Sequence, residues 1–227
     1  MNRLDLWQSF LAEIDAKRVL EIGVWKGEFA AHMLHGCPGI ERYYMLDAWR
    51  ALPEWNKPLN TAAGLDAAYK EAMAATAFAG NRVTVLRGTT AEVIDGIPDG
   101  SLDFIYVDGD HTLRGIAIDL IRSYPKLRPG GHLGGDDFDT SAWRHGFDYE
   151  PTLVFPFAVY FAEAVGAPIE ALPCGQFRIT KPHAGGAFSF TDRTGAYGDR
   201  SVLAALRSER KGPLRRAAAR LRRLLRR

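Results

Sequence analysis

The sequence predicts an α/β fold built on a mostly parallel β-sheet. Short apolar segments that end in Gly or Asp alternate with longer segments of helical periodicity, which is the pattern of consecutive βα units. The length of 227 residues and the hydrophobic content of 47% suit one large globular domain. We therefore expect a single sheet with helices packed against it.

Five segments are predicted to form parallel strands, because each is apolar and ends in Gly or Asp. They are residues 18–23, 43–47, 83–88, 102–108 and 132–136. Helices are predicted between them, at residues 26–34, 61–78, 90–97 and 112–127. Pro129 and the two glycines after it should form a turn, because they cannot continue the preceding helix.

The composition changes after Asp137. A further helix is predicted at residues 151–165, and the short runs 169–172 and 176–180 are expected to form a closing hairpin. We assign residues 1–205 to the folded domain and residues 206–227 to a basic tail. From Gly212 onward the tail has the leucine and alanine face of an amphipathic helix.

Charge is divided unevenly between the domain and the tail. Residues 207–227 hold ten Arg or Lys against the single acid Glu209, which leaves 19 basic and 26 acidic residues in the rest of the chain. The acidic domain disfavours a nucleic-acid partner, whereas the tail could contact an anionic membrane surface. The tail could equally be a disordered solubilising end or a contact in a homo-oligomer.

Location and redox state are predicted from what the sequence lacks. No apolar run approaches the length of a membrane-spanning helix, and only Cys37 and Cys174 are present, without a metal-binding spacing. We therefore expect a cytoplasmic protein with two thiols, which could lie at the inner membrane surface through its tail.

The turn after the first strand indicates a nucleoside site. Glu21, Gly23 and Gly27 lie where an apolar strand meets a helix, and glycines allow a ligand to approach the backbone. Asp47 ends the next strand, where an acid can accept hydrogen bonds from both hydroxyls of a ribose. The turn alone could be a plain βα connection, and Asp47 could simply cap a turn.

The order of Val19-Leu-Glu-Ile-Gly, Tyr44-Met-Leu-Asp47, Asp103-Phe-Ile-Tyr-Val-Asp108-Gly-Asp-His and Pro129-Gly-Gly resembles the class I S-adenosylmethionine (SAM)-dependent methyltransferases. The resemblance covers about residues 17–140. It implies a Rossmann-like sheet of seven strands with helices on both faces and an antiparallel last strand. It also implies that Glu21, Gly23 and Gly27 line SAM, that Asp47 holds its ribose, and that Thr89 or Thr90 lies near its adenine.

Acidic residues lie at and just after the ends of the fourth and fifth predicted strands, which the family's strand order makes neighbours. They are Asp108, Asp110, Asp136 and Asp137, with His111 beside them. Carboxylates at adjacent strand ends can meet one small cation, and a divalent ion would relieve their mutual repulsion. The alternative is a set of solvated loop acids that includes one or two helix caps.

This spacing is similar to magnesium-dependent O-methyltransferases that act on small molecules and natural-product sugars. The similarity implies Asp108, Asp136 and Asp137 as Mg²⁺ ligands and Asp110 as general base. His111 is either a second candidate base or a structural hydrogen-bond partner. A Lys that serves near this point in catechol-type enzymes is absent, which disfavours a catechol acceptor.

The predicted function is therefore SAM-dependent methylation of a hydroxyl on a small molecule, sugar or glycan, with Mg²⁺ orienting the acceptor. The sequence leaves two alternatives open. One is a metal-independent enzyme that methylates the nitrogen of a small amine. The other is a noncatalytic SAM-binding module whose tail recruits a membrane or a partner.

Overall fold

The computed structural model describes residues 2–53, 55, 61–143 and 148–197. Its single sheet has eight strands in the order β3-β2-β1-β4-β5-β7-β6-β8. The strands are β1 (Arg18–Ile22), β2 (Arg42–Asp47), β3 (Val83–Arg87), β4 (Leu102–Val107), β5 (Leu127–Gly135), β6 (Pro168–Leu172), β7 (Gln176–Thr180) and β8 (Ser189–Asp192). The α-helices are α1 (Arg3–Glu13), α2 (Glu28–Gly36), α3 (Ala62–Thr76), α4 (Thr90–Val93), α5 (Leu113–Ser123) and α6 (Val154–Ala164).

The α/β class and the mostly parallel sheet are confirmed, but the strand count of seven was wrong. Strands β1 to β5 are mutually parallel, and β7 is antiparallel to both β5 and β6. The eighth strand pairs in parallel with β6, so the last strand of this chain is not the antiparallel one. Residues of β8 are mostly exposed, and a short edge strand of this kind has no buried alternation to reveal it.

The turn predicted at Pro129 lies inside β5. Strand β5 begins at Leu127, and its register with β4 shifts between the pairs Leu102–Leu127 and Phe104–His132. Five residues of β5 thus span the distance that two residues span on β4, so the Pro-Gly-Gly segment forms a bulge. The predicted helix at 90–97 is also shorter, because α4 ends at Val93 and a 3₁₀ turn follows.

Helices cover both faces of the sheet, as predicted. One core cluster joins α1, α2 and α3 to one face through buried side chains such as Trp7, Phe29 and Ala72. The other joins α5 and α6 to the opposite face through Ile116, Leu120 and Phe161. The strand ends between these two layers are therefore the part of the sheet that remains open to a ligand.

Helix α1 was missed by the sequence analysis. Asn2 and Asp5 form a capping box at its start, and Trp7 is completely buried against β5. A Cβ on Gly134 would overlap the Trp7 ring and lie 2.7 Å from its Cζ2 atom. The bare backbone at Gly134 thus lets the indole lie on the sheet and places the first turn of α1 at the carboxyl end of β5.

No helix among the described residues is long and apolar enough to cross a membrane. The tail predicted at 206–227 lies outside the described residues, so its amphipathic helix stays a prediction.

Candidate active site

The loops at the carboxyl ends of β1, β4 and β5 are fixed by hydrogen bonds that continue the sheet beyond its strands. The Gly23 N–H donates to the Leu46 carbonyl at 2.9 Å, and the Asp108 N–H donates to the Ile22 carbonyl at 2.8 Å. The Asp136 N–H donates to the Val107 carbonyl at 3.1 Å. The polar residues that follow these strands therefore start from a common rigid edge.

The glycines of the turn pack closely against other backbone segments of the protein. Gly23 has a φ of +88°, and a Cβ there would overlap the Asp108 carbonyl and lie 2.6 Å from the Gly109 nitrogen. Gly27 has a φ of +78°, and a Cβ there would lie 2.9 Å from the Cα of Ala72 in α3. These positions require glycine for conformation and for close packing, whether or not a ligand is bound.

Glu21 lies beneath the turn and is almost fully buried. The Tyr43 hydroxyl donates a hydrogen bond to its Oε2 atom at 2.7 Å. Burial raises the pKa of Glu21 well above its ordinary value, and the bond from Tyr43 only partly opposes this rise. The side chain is thus engaged inside the α1–α3 layer.

Asp47 connects the glycine turn to the loop after β2. Its Oδ2 accepts from the Trp25 N–H at 2.9 Å, and its Oδ1 accepts from the Trp49 N–H at 2.8 Å. Burial raises the pKa of Asp47, against the lowering effect of these backbone bonds. Each carboxylate oxygen can accept more than one hydrogen bond, so the geometry leaves acceptor capacity for a ribose.

The two threonines after β3 have different environments. Thr89 forms the N-terminal capping box of α4 with Glu92. Thr90 is buried and donates from its Oγ1 to Oδ1 of Asp119 at 2.5 Å. Asp119 is itself buried, and this burial raises its pKa to about 7. It lies directly under the loop after β4, because a Cβ on Gly109 would be 3.0 Å from its Oδ2.

The predicted acid cluster forms at the ends of β4 and β5, but a residue from α1 stands within it. Arg3 Nη1 donates to Asp108 Oδ2 at 2.9 Å and also to Asp136 Oδ2. Burial alone would lower the pKa of Arg3, but Tyr106, Asp108 and Asp136 raise it, so the guanidinium is charged. Burial and the neighbouring Asp108 raise the pKa of Asp136, and Arg3 opposes that rise.

His111 bridges the other side of the cluster. Its Nδ1 lies 2.5 Å from Asp137 Oδ2, and its Nε2 lies 3.3 Å from Asp108 Oδ1. Burial would lower the pKa of His111, but the two carboxylates outweigh it and raise the pKa to about 10. The two carboxylates thus favour the protonated imidazole, which has no lone pair with which to accept a proton.

Asp110 is near this cluster in sequence but belongs to the start of α5. Its Oδ1 accepts a hydrogen bond from the Thr112 N–H at 3.0 Å. Its side chain fills the space that a Cβ on Gly115 would occupy. A carboxylate in this position is held by the helix start and is partly exposed.

The arrangement does not match the predicted Mg²⁺ site. Magnesium requires oxygen ligands in near-ideal octahedral geometry, and carboxylates from Asp108, Asp136 and Asp137 have the right chemistry. Their oxygens are instead directed at Arg3 and His111. Among the residues that the structure describes, no group of three or more His, Cys, Asp or Glu could hold a metal ion.

A cavity of about 490 Å³ opens beside the cluster at the same edge of the sheet. Its walls come from the segment after β5, the β6–β7 connection and the segment after β8; they include Phe138, Asp139, Thr140, Cys174, Thr194 and Tyr197. Gln176 connects this region to the cluster, since its Nε2 donates to Asp136 Oδ1 at 2.6 Å and to the Cys174 carbonyl at 3.1 Å.

The strand order, the antiparallel β7, the glycine turn and the acid at the end of β2 together define a class I SAM-dependent methyltransferase. The chain belongs to the family described as a methyltransferase domain, whose model matches residues 20–138. No curated protein matches the chain in sequence.

Solved structures share this fold at low sequence identity. An O-methyltransferase from Bacillus cereus in complex with S-adenosylhomocysteine (SAH) is 18% identical, with a TM-score of 0.56 over 79% of this chain and 80% of that one. The SAM complex of the O-methyltransferase TomG from Streptomyces achromogenes, involved in tomaymycin synthesis, is 14% identical, with a TM-score of 0.57 over 80% of each chain. The SAH-bound methyltransferase PaMTH1 from Podospora anserina is 20% identical, with a TM-score of 0.55 over 78% of this chain and 76% of that one.

Two polar residues of the site were not predicted from the sequence. Arg3 gave no signal by itself, although the Asn2–Asp5 capping box and Trp7 four residues after Arg3 could have revealed the helix that carries it. Gln176 begins a predicted strand, and nothing around it in the sequence indicates a role in the site. It is buried, and its Oε1 accepts from Trp7 Nε1 at 2.7 Å and from the Tyr106 hydroxyl at 2.9 Å.

Proposed function

We propose that this methyltransferase transfers the methyl group of SAM to a hydroxyl group of a small molecule, sugar or glycan. The observation that carries the proposal is the polar cluster of Asp108, Asp136, Asp137, Arg3 and His111 at the ends of β4 and β5. It adjoins the glycine turn, because Gly23 packs on the backbone of Asp108. A cofactor at the turn and an acceptor at the cluster would thus be neighbours.

The cofactor residues in this proposal are those of the glycine turn and the strand ends beside it. Gly23 and Gly27 would line SAM with Glu21 below them, Asp47 would accept from its ribose, and the start of α4 at Thr89 and Thr90 would border its adenine. Two features support this assignment: the exposure of Trp25, which is 49%, and the position of the Asp47 carboxylate directly beside it.

The chain's own contribution to the reaction is alignment and proton removal. The sulfonium methyl of SAM is already activated, so the acceptor oxygen must be held in line behind it and lose its proton. Asp110 is the proposed base, since its fixed, partly exposed carboxylate can accept a proton. His111 is assigned to holding Asp108 and Asp137, because its two ring nitrogens face their carboxylates.

A hydroxyl acceptor fits the cluster better than an amine. A protonated amine would bind to uncompensated carboxylates, but Arg3 and His111 already neutralise much of their charge. Two of the structures with this fold, from Bacillus cereus and Streptomyces achromogenes, are named as O-methyltransferases. The mixed aromatic and polar walls of the adjoining cavity suit a hydroxylated ring.

Magnesium is not included in this proposed mechanism. Its ligands would be the three carboxylates, but Arg3 and His111 would first have to leave them. No step of the reaction is therefore assigned to a metal.

The experiment is methyl transfer from SAM with a trideuterated methyl group to a panel of hydroxylated small molecules, sugars and glycans, with matched amines in parallel. Mass spectrometry detects the label, and NMR distinguishes an O-methyl from an N-methyl product. We expect O-methyl products, a loss of activity in Asp110→Asn, and unchanged activity in Asp99→Asn, whose carboxylate is exposed before β4. Exclusively N-methylated products would overturn the proposal. A wild-type chain that binds SAM and modifies no acceptor would favour a noncatalytic module.

The basic tail supports a second, independent proposal about location. Its ten Arg or Lys residues against one acid would draw the enzyme to an anionic membrane surface inside the cell. A glycan or small-molecule acceptor at such a surface would be accessible to it.

A further inference from the structure

We propose that Arg3 takes the place of a divalent cation between Asp108 and Asp136, so that the acceptor site is assembled without a metal. The inference deepens the proposed O-methylation and rests on it. Arg3 is a positioning residue in this scheme, since it acts through the two carboxylates that border the acceptor.

The guanidinium stands where a shared cation would have to bind. One nitrogen of Arg3 contacts an oxygen of Asp108 at the end of β4 and an oxygen of Asp136 at the end of β5. A metal ion bridging the same two carboxylates would need those oxygens at about 2.0–2.6 Å. The nitrogen and a metal ion therefore exclude each other, and the third carboxylate, on Asp137, is engaged with His111.

The position of Arg3 is fixed by the fold. Residues four apart lie on the same face of a helix, so Trp7 directs Arg3 toward the strand ends. Trp7 is completely buried on Gly134, and its indole nitrogen donates to Gln176 at 2.7 Å. Gln176 in turn donates to Asp136 at 2.6 Å. The same buried amide thus anchors both the helix that carries Arg3 and the carboxylate that Arg3 binds.

The charge of Arg3 is otherwise unfavourable at this point of the chain. It occupies the first residue of α1, where the partial positive charge of a helix N-terminus disfavours a cation. The carboxylates of Asp108 and Asp136 compensate that cost. Arg3 has a side-chain exposure of 35%, so part of this cationic side chain remains accessible to solvent.

The test measures metal binding directly and needs no acceptor. Mn²⁺, which shares the oxygen preference of Mg²⁺, is titrated into the full chain, and free Mn²⁺ is followed by electron paramagnetic resonance. We expect that the wild-type chain has no Mn²⁺ site that depends on Asp136. Arg3→Met should gain a site that binds Mn²⁺ at least about tenfold more tightly than any residual binding by wild type, and Arg3→Met combined with Asp136→Asn should lose this gain. Arg3→Lys, which keeps the charge, should behave as wild type.

Arg128→Met is the matched control, since Arg128 pairs with Asp103 at 2.6 Å at the opposite edge of the sheet. It should not alter Mn²⁺ binding. A wild-type Mn²⁺ site that Asp136→Asn abolishes would overturn the proposal, and this measurement requires no Arg3 variant to fold. A folded Arg3→Met chain that gains no site would also contradict it. Failure of the O-methylation proposal would appear separately, as N-methyl products or none in the acceptor panel.

Discussion

Replacement of Gly23 by alanine tests whether the glycine turn is required by packing or by a ligand. Gly23 has a φ of +88°, and a Cβ there would overlap the Asp108 carbonyl. Left-handed backbone costs a non-glycine residue about 1–2 kcal/mol, and forced overpacking adds about 1–3 kcal/mol. Gly23→Ala should therefore reduce the free energy of unfolding by about 2–5 kcal/mol, which lowers Tm by roughly 5–15 °C for a chain of this size.

The matched control is Gly100→Ala. Gly100 has a φ of +66°, but a Cβ there would have nothing within 4 Å. Gly100→Ala should therefore lower the free energy of unfolding only by the cost of the left-handed backbone, about 1–2 kcal/mol. Thermal and urea unfolding followed by circular dichroism compare the two variants, and calorimetry measures their affinity for SAM. The packing argument would be refuted if both variants lost the same stability and only Gly23→Ala lost affinity for SAM. Glycine would then be required at this position by the ligand.

Three further predictions concern stability and the tail. Trp7→Ala should reduce the free energy of unfolding by about 3–5 kcal/mol in urea titrations, because it removes a completely buried ring and one hydrogen-bond donor to Gln176. A loss under about 1 kcal/mol would show that α1 is only loosely packed on the sheet. Burial raises the pKa of Asp119 to about 7, so the native state retains a proton that the unfolded chain releases, and stability should fall as pH rises from about 4 to 7. Asp119→Asn should lose this part of the pH dependence, and an unchanged slope would disprove the assignment. Truncation after residue 205 should abolish sedimentation with anionic vesicles, while neutral vesicles should bind neither chain; retained binding would place the membrane contact elsewhere.

The parallel half of the sheet could be predicted because its central strands β1 and β4 are mostly buried and every parallel strand ends at, or directly before, a Gly or an Asp. Segments such as Leu102–Val107 have no polar alternation, and the turns after them contain glycine or acids. Helix α1 and strand β8 were missed for the opposite reason. Of the five large apolar residues in the helix, only Trp7, Phe10 and Leu11 are buried, and the strand pairs at an exposed edge. The positions of this helix and this strand depend on long-range packing, which the local periodicity of the sequence does not reveal.

The acid cluster could be predicted because neighbouring parallel strands bring their ends together. Asp108 and Asp136 follow β4 and β5, and the structure joins them through one guanidinium. The identity of the cation could not be predicted, because Arg3 is 105 residues from Asp108 along the chain. Repulsion among carboxylates calls for a positive charge, but it does not specify whether a metal, an arginine or a histidine provides it.

The most direct test of the central claim is a crystal structure of the chain with SAH and a hydroxylated product identified from the acceptor panel. We predict that SAH lies along the glycine turn, with its ribose hydroxyls at Asp47 and its sulfur directed toward the cluster of Asp108, Asp136 and Arg3. The methylated oxygen should lie between that sulfur and the cluster, in reach of Asp110. A product oxygen bound elsewhere, or a sulfur directed away from β4 and β5, would contradict the account.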